Sequence, residues 1–147
     1  MNASKGLVDS NILVYAHDSE SSMHEQAKLW LEKSVNEQSV VTSWQNLLEF
    51  YSVITSSKRC LNPLSSAKAG YIVKKYDDHL EVISPNKKSG MVLLEFLSKS
   101  NIKGPEIYDY YLASVALANG VKTIYTANTN DFKTMKEISA VNPLIES

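Results

Sequence analysis

Short apolar runs alternate along the chain with longer stretches whose apolar residues recur every three or four positions. This alternation predicts strands and amphipathic helices in turn, the pattern of an α/β fold. The opening run Leu7-Val8 ends in a carboxylate, Asp9; Ser10 and Asn11 follow, and a second apolar run begins at Ile12. This predicts a strand over residues 6–9 and a short helix from residue 11. Met23, Ala27, Trp30, Leu31 and Val35 fall at helical spacing and predict a helix over residues 22–36, with a capping box from Ser21-Ser22 to Glu25.

Val40-Val41-Thr42 is β-branched and predicts the second strand. Ser43 is placed to cap a helix over residues 44–57 whose apolar face is Leu47, Leu48, Tyr51 and Ile54. Asn62-Pro63 signals the start of another helix, running to residue 76. A third strand over residues 80–84 is closed by Pro85. Residues 86–100 form a helix with Met91, Leu94 and Leu97 on one side. Pro105 opens the next, which runs to residue 119 with Ile107, Tyr111, Ser114, Val115 and Ala118 inward and Gly120 as its C-terminal cap. Residues 121–126 give a fourth strand and residues 127–132 a polar loop. Residues 141–145 give a short last strand that Pro143 confines to an edge.

Composition narrows the possibilities. The 147 residues suffice for one domain, residues 1–147, with its own core, and 44% hydrophobic with 21% charged residues is ordinary for a soluble chain. Cys60 is the only cysteine, so no internal disulfide can form. As a nucleophile it lacks a neighbouring histidine or basic cluster. No run approaches a membrane span, and the opening residues MNASKG are too polar for a secretion signal; a cytoplasmic location is expected. A formal net charge of −1 offers no global attraction to nucleic acid, so any such partner must meet a local patch.

Four acids fall where the layout places the sheet's rim: Asp9 at the end of the first strand, Glu49 in the second turn of the helix after the second strand, Asp109 in the first turns of the helix before the fourth strand, and Asp131 in the loop beyond it. Ligand sites of open α/β sheets lie outside the carboxyl ends of the strands. Each acid has an ordinary alternative. Asp9 could cap the helix after it, Glu49 could be a solvated helix residue, Asp109 could favour its helix dipole, and Asp131 could cap the segment that follows. Taken together they point to a shared site. Carboxylates that crowd together raise one another's pKa values, and each tenfold gain in proton affinity costs the charged form about 1.4 kcal/mol. A hard divalent cation, Mg²⁺ or Mn²⁺, removes that cost and takes oxygen ligands, waters and phosphate oxygens. Such an ion can activate water and stabilise charge on a phosphoryl group, which points to phosphodiester hydrolysis.

The motifs around these acids resemble a known family. VDSNILVYA carries Asp9, NLLEFYSVIT carries Glu49, IYDYYLASVALANG carries Asp109, and TIYTANTNDF carries Asp131. In this order and spacing, over almost the full length, the chain resembles PIN-domain proteins, and especially the VapC-type toxin ribonucleases of bacterial toxin–antitoxin pairs. The resemblance implies a three-layer α/β/α fold with a parallel five-stranded sheet of order 3-2-1-4-5. It also implies metal-dependent endonucleolytic cleavage of single-stranded or exposed RNA, leaving 5′-phosphate and 3′-hydroxyl ends. Asp9, Glu49, Asp109 and Asp131 would be the catalytic residues, holding Mg²⁺ (or Mn²⁺) directly or through water. Ser10 and Asn11 would position the turn after the first strand, and Thr126 and Asn128 would shape the closing loop. A homodimer and a cognate antitoxin partner are implied as well.

Two departures stand out. Some family members carry an acid where this chain has Asn128, and Tyr110-Tyr111 replace residues that are commonly small or aliphatic. Glu106, one turn before Asp109, is a supporting candidate. His17, His24 and His79 lack the partners of a zinc set and read as structural or surface residues. Lys74-Lys75 and Lys87-Lys88 could border RNA or simply be solvated. Tyr108, Tyr110 and Tyr111 cannot all face the core, so at least one is expected at the surface near Asp109, where it could stack on a base or pack in a dimer; core or interface packing is the more ordinary reading. Two other classes share parts of this pattern. One is a catalytically inactive PIN-fold binding module, which the four acids argue against. The other is a receiver-type signalling domain, which needs an adjacent acid pair where Asp9 stands alone. A nuclease acting on DNA flaps would need a longer chain.

Overall fold

Five short segments pair side by side: β1 (Gly6–Val8), β2 (Val40–Ser43), β3 (Glu81–Ile83), β4 (Thr123–Tyr125) and β5 (Ser139–Val141). Every pair is parallel and the order is β3-β2-β1-β4-β5. Parallel neighbours need crossovers, and helices supply them: α1 (Ser10–His17), α2 (His24–Asn36), α3 (Trp44–Ile54), α4 (Ser66–His79), α5 (Lys87–Lys99) and α6 (Ile107–Ala118). The computed structural model describes residues 4–145; the ends of the expected domain, residues 1–3 and 146–147, lie outside it. A receiver-type sheet runs 2-1-3-4-5, so the topology rules out that alternative.

The two-residue period of the strands divides the core into two layers. Leu7 and Val41 face one way and pack with Phe96, Leu112, Val115 and Phe132 under α5 and α6. Val8 and Val40 face the other way and pack with Ile12, Leu13, Leu31, Leu47, Phe50 and Ile54 under α1 to α4. Gly6 starts β1 because the Tyr125 ring lies flush against it; a Cβ there would overlap the ring. Gly120 takes φ +76° after α6. Its N–H bonds Leu117 O at 3.0 Å and that of Val121 bonds Ala116 O at 2.9 Å, the paired C-terminal closure that glycine permits.

Several expected boundaries shift, each for a local reason. Helix α2 begins at His24 without a side-chain cap, because Ser21 Oγ instead accepts from Met23 N at 3.1 Å in a turn of its own. Helix α4 begins at Ser66 rather than after Asn62-Pro63: Leu64 N is drawn to Ile54 O at 2.8 Å, and Ser65 supplies the cap through Lys68 N. Pro105 opens a 3-10 turn, Gly104–Glu106, and the α-helix follows it. The last strand is Ser139–Val141, not residues 141–145; the Asn142 side chain turns back to accept from Leu144 N at 3.0 Å, and Pro143 has no N–H to continue the ladder.

Two inward faces also differ from expectation. On α3 the buried stripe is Leu47, Phe50 and Ile54, and Leu48 faces solvent. On α5 the core side is Ser89, Val92, Leu93 and Phe96, with the Phe96 ring 5.2 Å from that of Tyr110. Met91 and Leu94, each 68% exposed, and Leu97 stand outward. Helix α6 is buried on nearly all sides from Tyr110 to Ala116 apart from the half-covered Tyr111, so no single stripe describes it.

Candidate active site

The carboxyl ends of β1, β2 and β4 meet at one rim of the sheet, and Asp9 sits at its centre. It follows β1 directly and caps α1, with Oδ1 accepting from Ser10 N at 2.8 Å. Capping is therefore only part of what Asp9 does. Oδ1 also accepts from Asn46 Nδ2 at 3.1 Å, and Oδ2 accepts from Thr126 Oγ1 at 2.8 Å. Three elements thus fix one carboxylate. Burial raises the Asp9 pKa; the bonds from Thr126 and Ser10 oppose the rise, while the charges of Glu49 and Asp131 add to it.

Glu49 joins this network through Ser10, whose hydroxyl donates to Glu49 Oε2 at 2.8 Å. Its other oxygen accepts from Gln45 Nε2 at 3.2 Å, one helical turn back on α3. Asn11 reaches across to the far loop: Nδ2 donates to Thr126 Oγ1 at 3.1 Å and Oδ1 accepts from Ala127 N at 3.0 Å. Asn128 contributes its main-chain N–H to Thr126 Oγ1 at 3.0 Å, while its side chain is exposed.

Asp109 lies in the first turn of α6, half-buried. Burial, followed by the charges of Asp131, Asp9, Glu49 and Glu106, raises its pKa to about 6. The charges of all three other acids therefore reach it. Asp131 is exposed in the 3-10 turn Thr129–Phe132 after β4. Glu106 spends a carboxylate oxygen on Lys103 N at 2.7 Å, closing the turn before α6. Among the described residues no hydrogen bond joins the Asp109 or Asp131 carboxylate to the Asp9 network; charge alone links them to it.

The donor set is all oxygen, with no thiol or imidazole among these residues. The ion pairs of the described residues are Lys5–Glu81, Lys74–Asp78 and Lys99–Glu95, so none of the four acids is compensated by a cation from among them. A hard divalent cation fits that chemistry. Among the described residues no three acids or histidines stand close enough to form a finished ligand cluster. Mg²⁺ is commonly held by one or two carboxylates with waters completing its shell, and these side chains would suit such an ion.

Asn46 is a member of the network that the sequence pattern did not single out. It is fully buried on α3, and Ser43 Oγ donates to its Oδ1 at 2.6 Å, which turns its Nδ2 toward Asp9. The available signal was the spacing Ser43-x-x-Asn46, a polar pair at a helix start, with Asn46 on a face otherwise apolar.

The remaining marked residues lie elsewhere. His17, Tyr76 and His24 border a cavity of about 660 Å³ among α1, α2 and α4 that none of the four acids lines. His17 Nε2 bonds the Tyr76 hydroxyl and His24 Nδ1 bonds Tyr15 O at 2.9 Å, so both imidazoles are structural. Burial pushes the Cys60 thiol upward, away from a nucleophile's range. Lys74 pairs with Asp78 and Lys75 borders the same cavity; Lys87 and Lys88 are exposed on α5. Tyr110 is buried, Tyr111 half-buried and Tyr108 exposed, as expected of at least one of the three. Among the described residues no helix is long and apolar enough to cross a membrane.

The model of the PIN domain family matches residues 6–138. No curated protein matches the chain. Among solved structures, the chain is similar to VapBC2 from Rickettsia felis bound to a DNA fragment from its promoter, at 22% identity and TM-score 0.65, covering 92% of this chain and 96% of that one. It is similar to the Mycobacterium tuberculosis toxin VapC20, which cleaves the sarcin–ricin loop, at 17% identity and TM-score 0.63, covering 88% and 94%. DNA-bound VapBC from Salmonella typhimurium aligns at 18% identity and TM-score 0.63, covering 95% and 98%.

Proposed function

The chain belongs to the PIN-domain family, and on that footing we propose that it is a metal-dependent endoribonuclease, the toxin of a toxin–antitoxin pair. One observation carries the reading: four acids from distant parts of the chain act on one another at the sheet rim, with no cationic side chain among the described ion pairs to offset them, and burial together with their charges lifts Asp109 to about 6. A site that held no cation would bear this repulsion without return.

Mg²⁺ or Mn²⁺ bound there would supply an activated water and neutralise charge on a phosphodiester. Asp9 and Asp109 would hold the ion, with Glu49 and Asp131 completing the set directly or through water. Ser10 orients Glu49, and Asn11, Thr126 and Asn128 hold the rim loop that carries Asp131. Asn46 and Thr126 keep Asp9 in one rotamer.

Partners follow from the same reading: exposed RNA as substrate, a cognate antitoxin, and a second copy of the chain, all in the cytoplasm and with residues 1–147 acting as one domain. The shared fold with VapBC pairs and with a toxin that cleaves the sarcin–ricin loop supports it. An inactive PIN-fold binding module is the rival. Incubating RNA with purified wild type and Asp9→Asn, with Mg²⁺ or Mn²⁺ and with chelator, separates the two. Cleavage that requires the ion and vanishes in the variant is expected. Equal cleavage by both proteins, or none by either, overturns the proposal.

A further inference from the structure

Beside the acids, α3 and α6 enclose a groove of about 740 Å³. That is within the size range of small-molecule sites, about 300–1,000 Å³. Its walls include Trp44, Leu48, Ile107, Tyr108 and Tyr111, and it shares Glu49 with the acid network. Among the described residues Glu49 is the only charged one lining it, and it is negative, so a phosphate is unwelcome there.

Two rings stand open at the groove. Tyr108 is 64% exposed and Trp44 43% exposed, large aromatic surfaces that the core does not use. Tyr108 immediately precedes Asp109, so the ring and the carboxylate leave the same turn of α6. Gln45 ties the groove to the acids: its Nε2 donates to Glu49 Oε1 at 3.2 Å and approaches Tyr108 O at 3.5 Å. Groove wall and acid site are thus parts of one framework.

Resting on the nuclease reading, we infer that this groove seats an unpaired nucleobase of the RNA next to the scissile phosphodiester, stacked on Tyr108 and flanked by Trp44. A flat, uncharged ring suits apolar walls with an aromatic face, whereas the sugar–phosphate chain is left to the ion-bearing rim. Base–aromatic stacking tolerates any base, because every base presents a flat π-face. The groove therefore demands an unstacked nucleotide without specifying which one, and duplex RNA, whose bases are paired and stacked, is disfavoured.

The test is cleavage kinetics on short single-stranded oligoribonucleotides of mixed sequence, intact or with one abasic position beside the cut, using wild type, Tyr108→Ala and Tyr108→Phe with Mg²⁺. In wild type, one abasic position is expected to raise KM about tenfold or more while kcat changes little. Tyr108→Ala should raise KM on intact RNA by a similar factor and lose its sensitivity to that abasic position; Tyr108→Phe should behave as wild type. Because Tyr108 is exposed, matching melting temperatures will separate lost stacking from misfolding. Wild-type cleavage with independent, additive effects of the two changes overturns the groove alone. Unchanged kinetics in Tyr108→Ala, accompanied by an altered mass in solution, assigns the groove to a protein partner and overturns it too. No cleavage of any oligoribonucleotide by wild type removes the nuclease reading and the groove with it.

Discussion

The Thr126 hydroxyl donates its only proton to Asp9 Oδ2 at 2.8 Å, binding the loop after β4 to the residue that follows β1. Thr126 Oγ1 in turn accepts from Asn11 Nδ2 at 3.1 Å and from Asn128 N at 3.0 Å. Thr126→Val keeps the shape and removes all three bonds. It is expected to destabilise the fold by about 1–3 kcal/mol in urea titration, since buried groups are left unpaired. Cleavage should fall further than stability, because Asp9 loses the bond that favours its charged form. Thr126→Ser should restore most of both.

Asp109 should oppose folding when no ion is bound. Its pKa in the fold is about 6 against an ordinary 3.8. The folded state therefore binds the proton more tightly than the unfolded chain, and stability falls as pH rises through about 6. At pH 7 without metal, Asp109→Asn is expected to melt higher than wild type, the difference shrinking toward pH 4. Added Mg²⁺ should raise the melting temperature of wild type more than that of the variant, as any ligand of the native state does. A variant that melts lower at neutral pH contradicts the repulsion.

His17 tilts the same pH window the other way. Its ring lies 5.4 Å from that of Phe50, and burial, with the charges of His24 and Lys28, lowers its pKa from 6.5 to about 4. Stability from the neutral ring is complete above 6.5 and is lost as pH falls through about 4. A change of that size corresponds to roughly 3 kcal/mol. In an Asp109→Asn background, melting temperature should therefore drop between pH 6.5 and 4, and adding His17→Gln should flatten that drop. A drop of the same size in the double variant assigns the loss to other groups.

The legibility of this chain follows from how local each signal is. Asp9, Asp109 and Asp131 sit at or beside an element's end, close to an apolar run or a turn, so those positions could be read from short windows; Glu49 lies inside α3 and is reached only by counting from the Ser43 cap. The sheet order rests on the family resemblance, and the parallel pairing agrees with it. Which face of a helix turns inward depends on what it meets, and there the expected faces differ from the observed ones. On α5 the sets Met91-Leu94-Leu97 and Ser89-Val92-Leu93-Phe96 both have helical spacing. The second won because Phe96 finds the Tyr110 ring and the buried Ser89 closes a capping box with Asn86. Asn46 leaves little mark on the sequence because its partner, Asp9, lies in a different element and no local pattern announces the bond.

The outward set on α5 leads to a last expectation. Met91, Leu94 and Leu97 form an apolar ridge at helical spacing that the fold leaves in water. Such a ridge gains free energy when covered, at about 25 cal/mol per Å² of apolar surface. The proposed second copy of the chain is the natural cover, because a ridge related to itself by a two-fold axis meets its own side chains. Leu94→Lys places a charge at the middle of that contact while leaving the monomer's core untouched. Sedimentation should show the wild type at twice the monomer mass and Leu94→Lys at the monomer mass, with equal helicity by circular dichroism. A dimer that persists in Leu94→Lys would place the contact on another face and leave this ridge solvated.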